Sequence, residues 1–177
     1  VETMYPSTPE HIELPDAATK PSLEDGCRPT HFRGVCVAVA RLFDLVQPSC
    51  TVFGLKDYQQ YLIIKQLIEQ EGDRWSGLHI VGAEIIRDDD GLAMSSRNEY
   101  LTSDQRQQAL GIHKAILCST EEAMRHILED HGLIIEYAVI RDEQTLLEPR
   151  AQHQTRALVA VRAGNTRLID NALVSTQ

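Results

Sequence analysis

Several features are missing or scarce in this sequence, and each absence excludes a class of protein. No apolar run approaches the roughly 20 residues that a helix needs to cross a bilayer, so we predict no membrane partner. Basic residues are outnumbered, with 17 Lys and Arg against 26 Asp and Glu and a formal net charge of -9. Aromatic residues make up only 5% of the chain, and no basic stripe runs along it. Because an acidic chain repels a polyanion, we also predict no nucleic-acid partner.

The cysteines are few and scattered. None of them stands in the closely spaced pairs that are typical of metal sites. We therefore interpret them as reduced packing residues of a cytoplasmic protein. With 42% hydrophobic residues, the 177-residue chain can form one or two small domains with a buried core. The four cysteines are Cys27, Cys36, Cys50 and Cys118.

The first half of the chain has the hydrophobic periodicity of an α/β protein. Residues 1–26 contain four prolines and predict an extended segment with at most a short strand at residues 11–14. After it, helix-type and strand-type patterns alternate, which predicts a parallel sheet joined by helical crossovers. The predicted elements are a helix over residues 32–47, a short strand over 50–53, a helix that begins at Asp57 and a buried strand over 78–86.

The same spacing predicts which helix faces are buried, because apolar residues three or four positions apart share one side of a helix. Each of the two helices has one such face, and Gly72 is a suitable stop for the second helix. The predicted faces are Val35, Val39, Leu42 and Val46 in the first helix, and Tyr61, Ile64, Leu67 and Ile68 in the second.

The second half changes period and predicts a separate helix-plus-sheet unit that begins near residue 87. Thr102 and Gln105 have the spacing of a capping box, which predicts a helical region that runs to about residue 130. A second helix start at Ser119 predicts either a kink or two tightly joined helices. Alternating residues then predict an antiparallel sheet with strands over 133–141, 156–163 and 166–174 and a hairpin turn at Gly164 and Asn165.

Polar loops follow both predicted strands of the first half, at the edge where parallel sheets bind ligands. The loop after the second strand, residues 87–101, is called the serine loop here; it contains Gly91, adjacent hydroxyls at Ser95 and Ser96, and Arg97. An arginine fork and small donors suit phosphate oxygens, so we interpret it as a phosphate-binding loop. The alternative is a polar connection whose serines cap the following helix.

The loop after the first strand is its counterpart. Gly54 allows a ligand to approach the backbone closely, and Lys56 brings a positive charge to a helix start, where backbone amides already favour anions. Asp57 occupies the cap position and could hold a ribose hydroxyl, and Gln60 lies one turn inside the helix. The alternative is an ordinary strand–turn–helix connection with an aspartate cap and a solvated lysine. Together, the two loops predict a cationic mouth on an acidic protein.

Two groups of possible metal ligands are interpreted without a metal. Residues 88–90 (DDD) could form a metal cluster, but we interpret them, with Gly91, as a solvated hinge. His126 and His131 lack the carboxylate or cysteine partners of a zinc site and are interpreted as surface residues. We therefore predict no metal site in this chain.

Three sequence blocks carry a family resemblance. They are residues 28–35 (RPTHFRGV), 53–60 (FGLKDYQQ) and 91–98 (GLAMSSRN), and residues 167–171 (RLIDN) add a further match. In order and separation they resemble the pantoate–β-alanine ligase (pantothenate synthetase) family over nearly the whole chain. The resemblance implies that residues 1–86 are the carboxyl-terminal half of a Rossmann-like, parallel-sheet nucleotide-binding domain. Residues 87–177 would then be a small α+β lid domain with an antiparallel sheet.

The resemblance implies an ATP-dependent, amide-forming ligase. In such an enzyme, pantoate attacks the α-phosphorus of ATP to give a pantoyl adenylate and pyrophosphate, with Mg²⁺ assisting. The amine of β-alanine then displaces AMP to give pantothenate. The resemblance also implies a homodimer.

The resemblance further implies roles for single residues. Lys56, Ser95, Ser96 and Arg97 are implied to be catalytic, since positioned cations and donors stabilise charge on the phosphates. Gln60 is implied to hold pantoate. Leu55 departs from the family, which usually carries Glu or Gln there. The residues implied to bind ATP are Gly54, Leu55, Lys56, Asp57, Ile86, Met94, Ser95, Ser96 and Arg97.

The resemblance also has a gap. In the family, an amino-terminal half with a histidine pair of HxGH type and metal-side acids precedes these blocks, and residues 1–27 offer no match for it. We therefore expect the chain to be the carboxyl-terminal portion of such an enzyme, inactive by itself, with the Mg²⁺ ligands outside it. Two alternatives stay open: a non-catalytic nucleotide-binding or interaction fragment, and a related nucleotidyltransferase.

Overall fold

The computed structural model describes residues 11–174 and divides into two compact units, Val1–Ala83 and Glu84–Gln177. The first unit contains a parallel pair of strands, and the second contains a separate three-stranded antiparallel sheet. The predicted fold class, a parallel α/β part followed by a small antiparallel α+β part, is confirmed. Within residues 11–174, no helix is both long and apolar enough to cross a membrane.

Helices and strands alternate in the first unit in the predicted order. The parallel pairing places Cys50 opposite His79 and Gly54 opposite Ala83. The elements are a 3-10 helix Asp16–Ala18, α1 Glu24–Cys27, α2 His31–Val46, β1 Cys50–Gly54, a 3-10 helix Leu55–Asp57, α3 Tyr58–Gln70 and β2 His79–Ala83.

The segment before α2 is folded onto the rest of the unit instead of adding a strand. Residues 11–14 form no strand, which agrees with the prediction of at most a short strand there, whereas Asp16–Ala18 and Glu24–Cys27 are helical where an extended segment was predicted. Residues 1–10 of that segment lie outside the described residues. The buried Gln59 side chain holds the segment. Its Nε2 donates to the Ala17 carbonyl and to Asp25 Oδ1, each at 2.8 Å, and its Oε1 accepts from the Glu24 amide at 2.9 Å. The backbone groups of Ala17 and Glu24 therefore form hydrogen bonds with one side chain and not with the edge of a sheet.

The buried face of α2 differs from the predicted one. The ring of Phe43 meets the ring of Trp75 edge-on, with 5.3 Å between their centroids. The predicted face is half-buried or exposed, and its exposed fraction reaches 47% at Leu42 and 67% at Val46. The prediction is wrong because α2 is apolar on more than one side, and burial of its aromatic side removes more apolar surface from water. The buried residues are Phe32, Cys36, Ala40 and Phe43.

The buried face of α3 is broader than predicted. Ile64 and Leu67 are buried as expected, whereas Tyr61 and Ile68 are only half-buried. The buried face also includes residues beside the predicted stripe, so the apolar spacing predicted the helix but not its full contact surface. The buried residues are Tyr58, Gln59, Leu62, Ile63, Ile64 and Leu67.

The second strand of the parallel pair is shorter and more exposed than predicted. Instead of a buried strand over residues 78–86, the structure has the five-residue strand β2. Burial alternates along β1 and β2, and Val52 and Val81 are 63% and 47% exposed. One face of the described two-stranded sheet is therefore open, and the prediction of a buried strand is wrong for this unit.

In the second unit, two helices pack against a three-stranded meander. Both helices contact the sheet, and the core between them contains Ile112, Met124, Leu128 and Val159. The strand order is β3-β4-β5, antiparallel throughout. The elements are a 3-10 helix Ser96–Tyr100, α4 Ser103–Ile116, α5 Glu121–Asp130, β3 Ile134–Asp142, β4 Thr155–Ala163 and β5 Thr166–Leu173.

Local signals in the second unit are largely confirmed. Thr102 and Gln105 form the predicted capping box, with Thr102 Oγ1 accepting from the Gln105 amide at 3.2 Å. The helical region is two tightly joined helices, and Thr120, one residue after the predicted start, caps the second. The hairpin turn between β4 and β5 has Gly164 in the left-handed conformation, with a φ of 58°. Short-range turn and cap chemistry is thus readable from the sequence.

Separate replacement of Phe43 and Leu42 tests the corrected face of α2. Phe43→Ala removes a ring that is 5% exposed, so we expect it to lower the free energy of unfolding by about 3–5 kcal/mol. Leu42→Ala, at a position that is 47% exposed, should change it by about 0.5 kcal/mol or less. Urea unfolding followed by the fluorescence of Trp75, the single tryptophan, measures both. Equal losses would contradict the corrected face.

Candidate functional site

The loop after β1 opens α3, as the sequence predicts. Gly54 ends the strand with extended backbone (φ -71°, ψ 129°), and a single 3-10 turn leads directly to Tyr58. A Cβ at Gly54 would meet no atom within 4 Å, so the space beside this backbone is open among the described residues. Lys56 is half-buried and Asp57 is exposed. The geometry suits close approach of a ligand to the strand end.

Two polar side chains at the start of α3, those of Asp57 and Gln60, make no hydrogen bond within residues 11–174 that would stabilise the helix or its surroundings. Asp57 occupies the cap position of α3, but its side chain makes no capping hydrogen bond, so the alternative interpretation of an aspartate cap is wrong. The Gln60 side chain is half-buried and makes no hydrogen bond to another residue in 11–174, whereas the side chain of its neighbour Gln59 is buried and holds the amino-terminal segment. The two neighbouring glutamines thus differ, and Gln59 is the one that supports the fold.

Leu55 has a structural partner that the sequence analysis missed. A Cβ built on Gly82 would lie 2.6 Å from Leu55 Cδ2 and 3.0 Å from its Cγ, so the leucine side chain lies directly over this glycine. The sequence signal that could have indicated this contact is Gly82 inside the strand, because a glycine in a strand often marks a place where another group approaches the backbone closely. The residue that departs from the family pattern is thus fixed by packing on β2.

The serine loop begins as a short β-hairpin. The Met94 amide donates to the Ile86 carbonyl and the Asp88 amide donates to the Leu92 carbonyl, each at 2.9 Å. Gly91 closes the turn with a φ of 89°, and its amide donates to the Asp88 carbonyl at 2.8 Å. A side chain is strained at this φ, which explains the glycine between the aspartates and the serines.

Most side chains predicted to meet the nucleotide on this loop, and that of Ile86 directly before it, are exposed, whereas Ser95 is half-buried. Ile86 and Met94 are 70% and 54% exposed. Arg97 is also exposed, and its guanidinium makes no hydrogen bond or ion pair with any residue in 11–174. Ser95 Oγ accepts from the Arg97 amide at 3.2 Å, so Ser95 caps the short 3-10 helix that follows, and Thr102 caps α4. A hydroxyl that accepts one bond still has its own hydrogen to donate.

A groove of about 540 Å³ lies beside the serine loop and is charged in both signs. Arg106 donates to Asp90 Oδ2 at 2.9 Å and to Asp88 Oδ2 at 2.8 Å, so its charge is already neutralised. An anion in the groove would therefore depend on Ser95 and Ser96, which line it, and on Arg97, which follows them in the chain. The lining residues are Asp88, Met94, Ser95, Ser96, Asn98, Glu99 and Arg106.

The aspartate run is an ion-pair site. Asp88 and Asp90 both pair with Arg106 of α4, which holds two of the three carboxylates of the predicted solvated hinge. No group of three His, Cys, Asp or Glu side chains in the described range 11–174 is arranged to hold a metal ion. Desolvation would raise the pKa of Asp90, but the hydrogen bonds from the Leu92 amide and from Arg106 outweigh it and lower the pKa.

A long-range contact of the serine loop was not predicted. Arg87 meets Asp170 of β5 at two points, with Nη1 to Oδ2 at 2.6 Å and Nη2 to Oδ1 at 3.0 Å. The Asp170 side chain is 1% exposed. The RLIDN match contains Asp170, but it gives no sign of a partner 83 residues away in the chain.

The structure describes each candidate loop within its own compact unit. The first loop brings together Gly54, Leu55, Lys56 and Asp57. The serine loop carries Met94, Ser95, Ser96 and Arg97, and Ile86 directly precedes it. That the two loops form one cationic mouth stays a prediction, as do the roles of these residues.

The first unit has a parallel strand pair with an open loop at its carboxyl end, and the second is a helix-plus-meander unit with a serine–arginine loop. Together they define an α/β protein whose loops have residues that suit anions. The chain belongs to the pantoate-beta-alanine ligase family, whose sequence model matches residues 1–173. The family resemblance is therefore confirmed.

Curated relatives agree with this assignment. The chain is 43% identical over 190 residues to a pantothenate synthetase of Xanthomonas oryzae pv. oryzae (strain MAFF 311018), which covers 97% of this chain and 65% of the relative. It is 44% identical over 187 residues to a pantothenate synthetase of Xylella fastidiosa (strain M23), with the same two shares covered. The chain thus spans 65% of the length of these relatives.

Solved structures agree as well. A pantothenate synthetase from Thermus thermophilus matches with a TM-score of 0.85 and 34% identity, over 99% of this chain and 67% of the other. A pantoate-beta-alanine ligase from Francisella tularensis, complexed with beta-gamma ATP and beta-alanine, matches with a TM-score of 0.75 and 28% identity. That match covers 99% of this chain and 63% of the other.

A double-mutant cycle tests the contact between Leu55 and Gly82. Gly82→Ala places a methyl group against Leu55, so we expect it to lower the free energy of unfolding. In the Leu55→Ala background the methyl group has room, and the same replacement should cost less, by a coupling of about 0.5–3 kcal/mol. Urea unfolding of the four proteins measures the coupling. Additive effects would show that Leu55 does not rest on β2.

Acid should loosen the contact between the serine loop and α4. Because the pKa of Asp90 is lowered in the folded protein, the contact stabilises the fold above the ordinary pKa of 3.8 and is lost as the pH falls through the lowered value. Arg106→Gln removes a cause of that shift, so the stability of this variant should depend less on pH below 3.8.

The free energy of unfolding, measured from about pH 2 to about pH 6, checks this expectation. Arg125→Gln is the matched control, since Arg125 is an exposed arginine on α5, outside the serine loop. The same pH dependence in wild type and Arg106→Gln would refute the assigned contact.

Proposed function

We propose that this chain contributes to the active site of an ATP-dependent pantoate–β-alanine ligase. The reaction condenses pantoate with β-alanine to pantothenate through a pantoyl adenylate, with release of AMP and pyrophosphate. Family membership supports this reaction, and the Francisella relative, complexed with beta-gamma ATP and beta-alanine, supports two of the substrates. The observation that carries the proposal is the exposed guanidinium of Arg97, which directly follows Ser95 and Ser96 in the chain and has no partner among residues 11–174.

In the first step, a carboxylate oxygen of pantoate forms a bond to the α-phosphorus of ATP. The bond from this phosphorus to the bridging oxygen of pyrophosphate breaks, and both of its electrons leave with pyrophosphate. Negative charge therefore grows on the leaving group. Lys56 and Arg97 would neutralise that charge, and Ser95 and Ser96 would donate hydrogen bonds to phosphate oxygens.

In the second step, the amine nitrogen of β-alanine forms a bond to the acyl carbon of the adenylate. The bond from that carbon to the phosphate oxygen breaks, AMP leaves with the electron pair, and the nitrogen loses a proton to solvent. No side-chain nucleophile is needed, because both nucleophiles are substrates. The contribution of the protein to this step is positioning.

Substrate binding would draw on both loops. The open space beside Gly54 suits a phosphate or ribose group against the backbone of Leu55, with Asp57 available to a ribose hydroxyl. The exposed apolar side chains of Ile86 and Met94 suit the adenine ring. Gln60, whose side chain makes no hydrogen bond to another described residue, would hold pantoate.

The metal expected with ATP does not fit the described residues. Asp88 and Asp90 are engaged by Arg106, and residues 11–174 offer no group of three metal-type ligands. The ligands of Mg²⁺ are therefore proposed to lie outside this chain. The homodimer and the cytoplasmic location likewise stay predictions.

We also propose that the 177-residue polypeptide does not complete the ligation alone. The support is its length, since it spans 65% of the relatives that carry the name pantothenate synthetase. It should still bind ATP, because both candidate loops are folded within it.

Replacement of single cations tests the proposed phosphate contacts. Arg97→Ala and Lys56→Ala should each weaken ATP binding about tenfold or more, because each removes a charge-assisted hydrogen bond. The matched controls are Arg125→Ala and Lys65→Ala, which remove exposed cations outside the two loops and should leave the affinity unchanged. Calorimetric titration of the polypeptide with ATP measures all five proteins.

The outcomes separate the proposed function from its alternatives. AMP release that requires both pantoate and β-alanine, from the protein purified with any partner from its own cells, would establish the ligase. ATP binding without AMP in that preparation would favour a non-catalytic nucleotide-binding fragment. Equal affinity in Arg97→Ala and wild type would rule out the serine loop as the phosphate site.

A further inference from the structure

We infer that Asp170 is a positioning residue for the serine loop and that it acts through Arg87. Asp170 does not line the groove and does not belong to either candidate loop. It fixes the hairpin on which the two serines and Arg97 are carried. Its importance for ATP rests on the proposed function; its effect on the loop does not.

The first step of the argument is the burial of Asp170. Its side chain is 1% exposed, and it lies in β5 opposite Val159 of β4. Oδ2 accepts from Arg87 Nη1 at 2.6 Å, and Oδ1 accepts from Arg87 Nη2 at 3.0 Å and from the Asn171 amide at 2.8 Å. A buried carboxylate is strongly destabilised when its cationic partner is removed. The Arg87 side chain is therefore held tightly against the sheet.

The second step is the connection from Arg87 into the loop. Nη1 also donates to the Gly91 carbonyl at 3.1 Å, so one guanidinium joins β5 to the turn of the hairpin. The backbone of Arg87 pairs with that of Ala93, next to Met94. Any freedom gained by Arg87 would pass directly to Ile86 and Met94, whose exposed side chains do little to anchor them.

The other anchors of the hairpin are of different kinds. Leu92 and Ala93 are 3% and 4% exposed and fix the returning strand by apolar packing. Arg106 holds Asp88, but those two side chains are 34% and 31% exposed, so water and salt screen the pair. The contact between Arg87 and Asp170 is the buried, two-point constraint on the outgoing strand, and such geometry specifies orientation as well as position.

Asp170→Asn tests the inference with little change in shape. We expect amide hydrogen exchange to become about tenfold faster at Asp88, Gly91 and Met94, whose bonds close the hairpin. The ladder between β4 and β5 should exchange as in wild type. ATP binding by the same polypeptide should weaken by a similar factor.

Glu136→Gln is the matched control. It removes a carboxylate of the same sheet that pairs with Arg162 at 2.8 Å and with Arg167 at 2.7 Å but forms no hydrogen bond or ion pair with a described residue of the serine loop. Neither loop exchange nor ATP affinity should change in this variant. Faster loop exchange in the control would overturn the inference, because any lost ion pair of the sheet would then have the same effect.

A double variant separates positioning from general stability. Arg87→Met combined with Asp170→Asn leaves no unpaired charge, so unfolding stability should recover relative to Asp170→Asn. If Asp170 positions the loop, fast loop exchange and weak ATP binding should persist.

Recovery of slow exchange together with stability would overturn the inference, as would unchanged exchange in Asp170→Asn. If wild type binds no ATP, the proposed function fails, while the exchange data still decide whether Asp170 fixes the loop.

Discussion

Burial of carboxylates is the constraint on which the second unit depends. A carboxylate inside a protein is costly unless its oxygens find donors, so its position determines that of the groups around it. Asp142, with a side chain that is 0% exposed, accepts from the amides of Gln144 and Thr145, from the Thr145 hydroxyl and from His153. Desolvation would raise the pKa of Asp142, but these hydrogen bonds outweigh it and lower the pKa. The connection between β3 and β4 is ordered as a result.

Asp170 meets the same requirement by a different route. The donors of Asp142 come from residues at most 11 positions away, whereas the guanidinium that satisfies Asp170 comes from 83 positions away. A local solution orders only its own loop. A long-range solution ties a separate segment, the serine loop, to the sheet. One physical rule thus shapes a structural connection in one place and a candidate functional loop in another.

The same distinction explains how much of the fold could be predicted from the sequence. Features decided within a few residues were predictable: the order of helices and strands, the capping box of α4 and the turn at Gly164. Features decided by tertiary packing were not. The apolar spacing of α2 offers several faces, and the choice among them is made by Trp75, which contacts Phe43 from another part of the chain. Likewise, the Gln59 side chain holds Glu24 and Ala17, which are 35 and 42 positions away, and no local pattern indicates these contacts.

The candidate site divides in the same way. Both loops could be predicted from sequence motifs, because glycine, serine and cationic residues at strand ends indicate an anion site without knowledge of the tertiary structure. Their supporting contacts were missed, since Leu55 over Gly82 and Arg87 on Asp170 join distant positions. These contacts also bear on charge. On a chain with a net charge of -9, a cation that is already paired does little for an anionic ligand.

The arginines around the serine loop therefore differ in how much positive charge they can offer to an anionic ligand. Arg87 is neutralised by a buried carboxylate, and Arg106 is neutralised by two half-exposed ones. Arg97 is exposed and has no partner among residues 11–174. An unpaired guanidinium costs little in water, so its exposure needs no structural reason. Two arginines support the loop, so Arg97 is the arginine that we propose for the contact with phosphate.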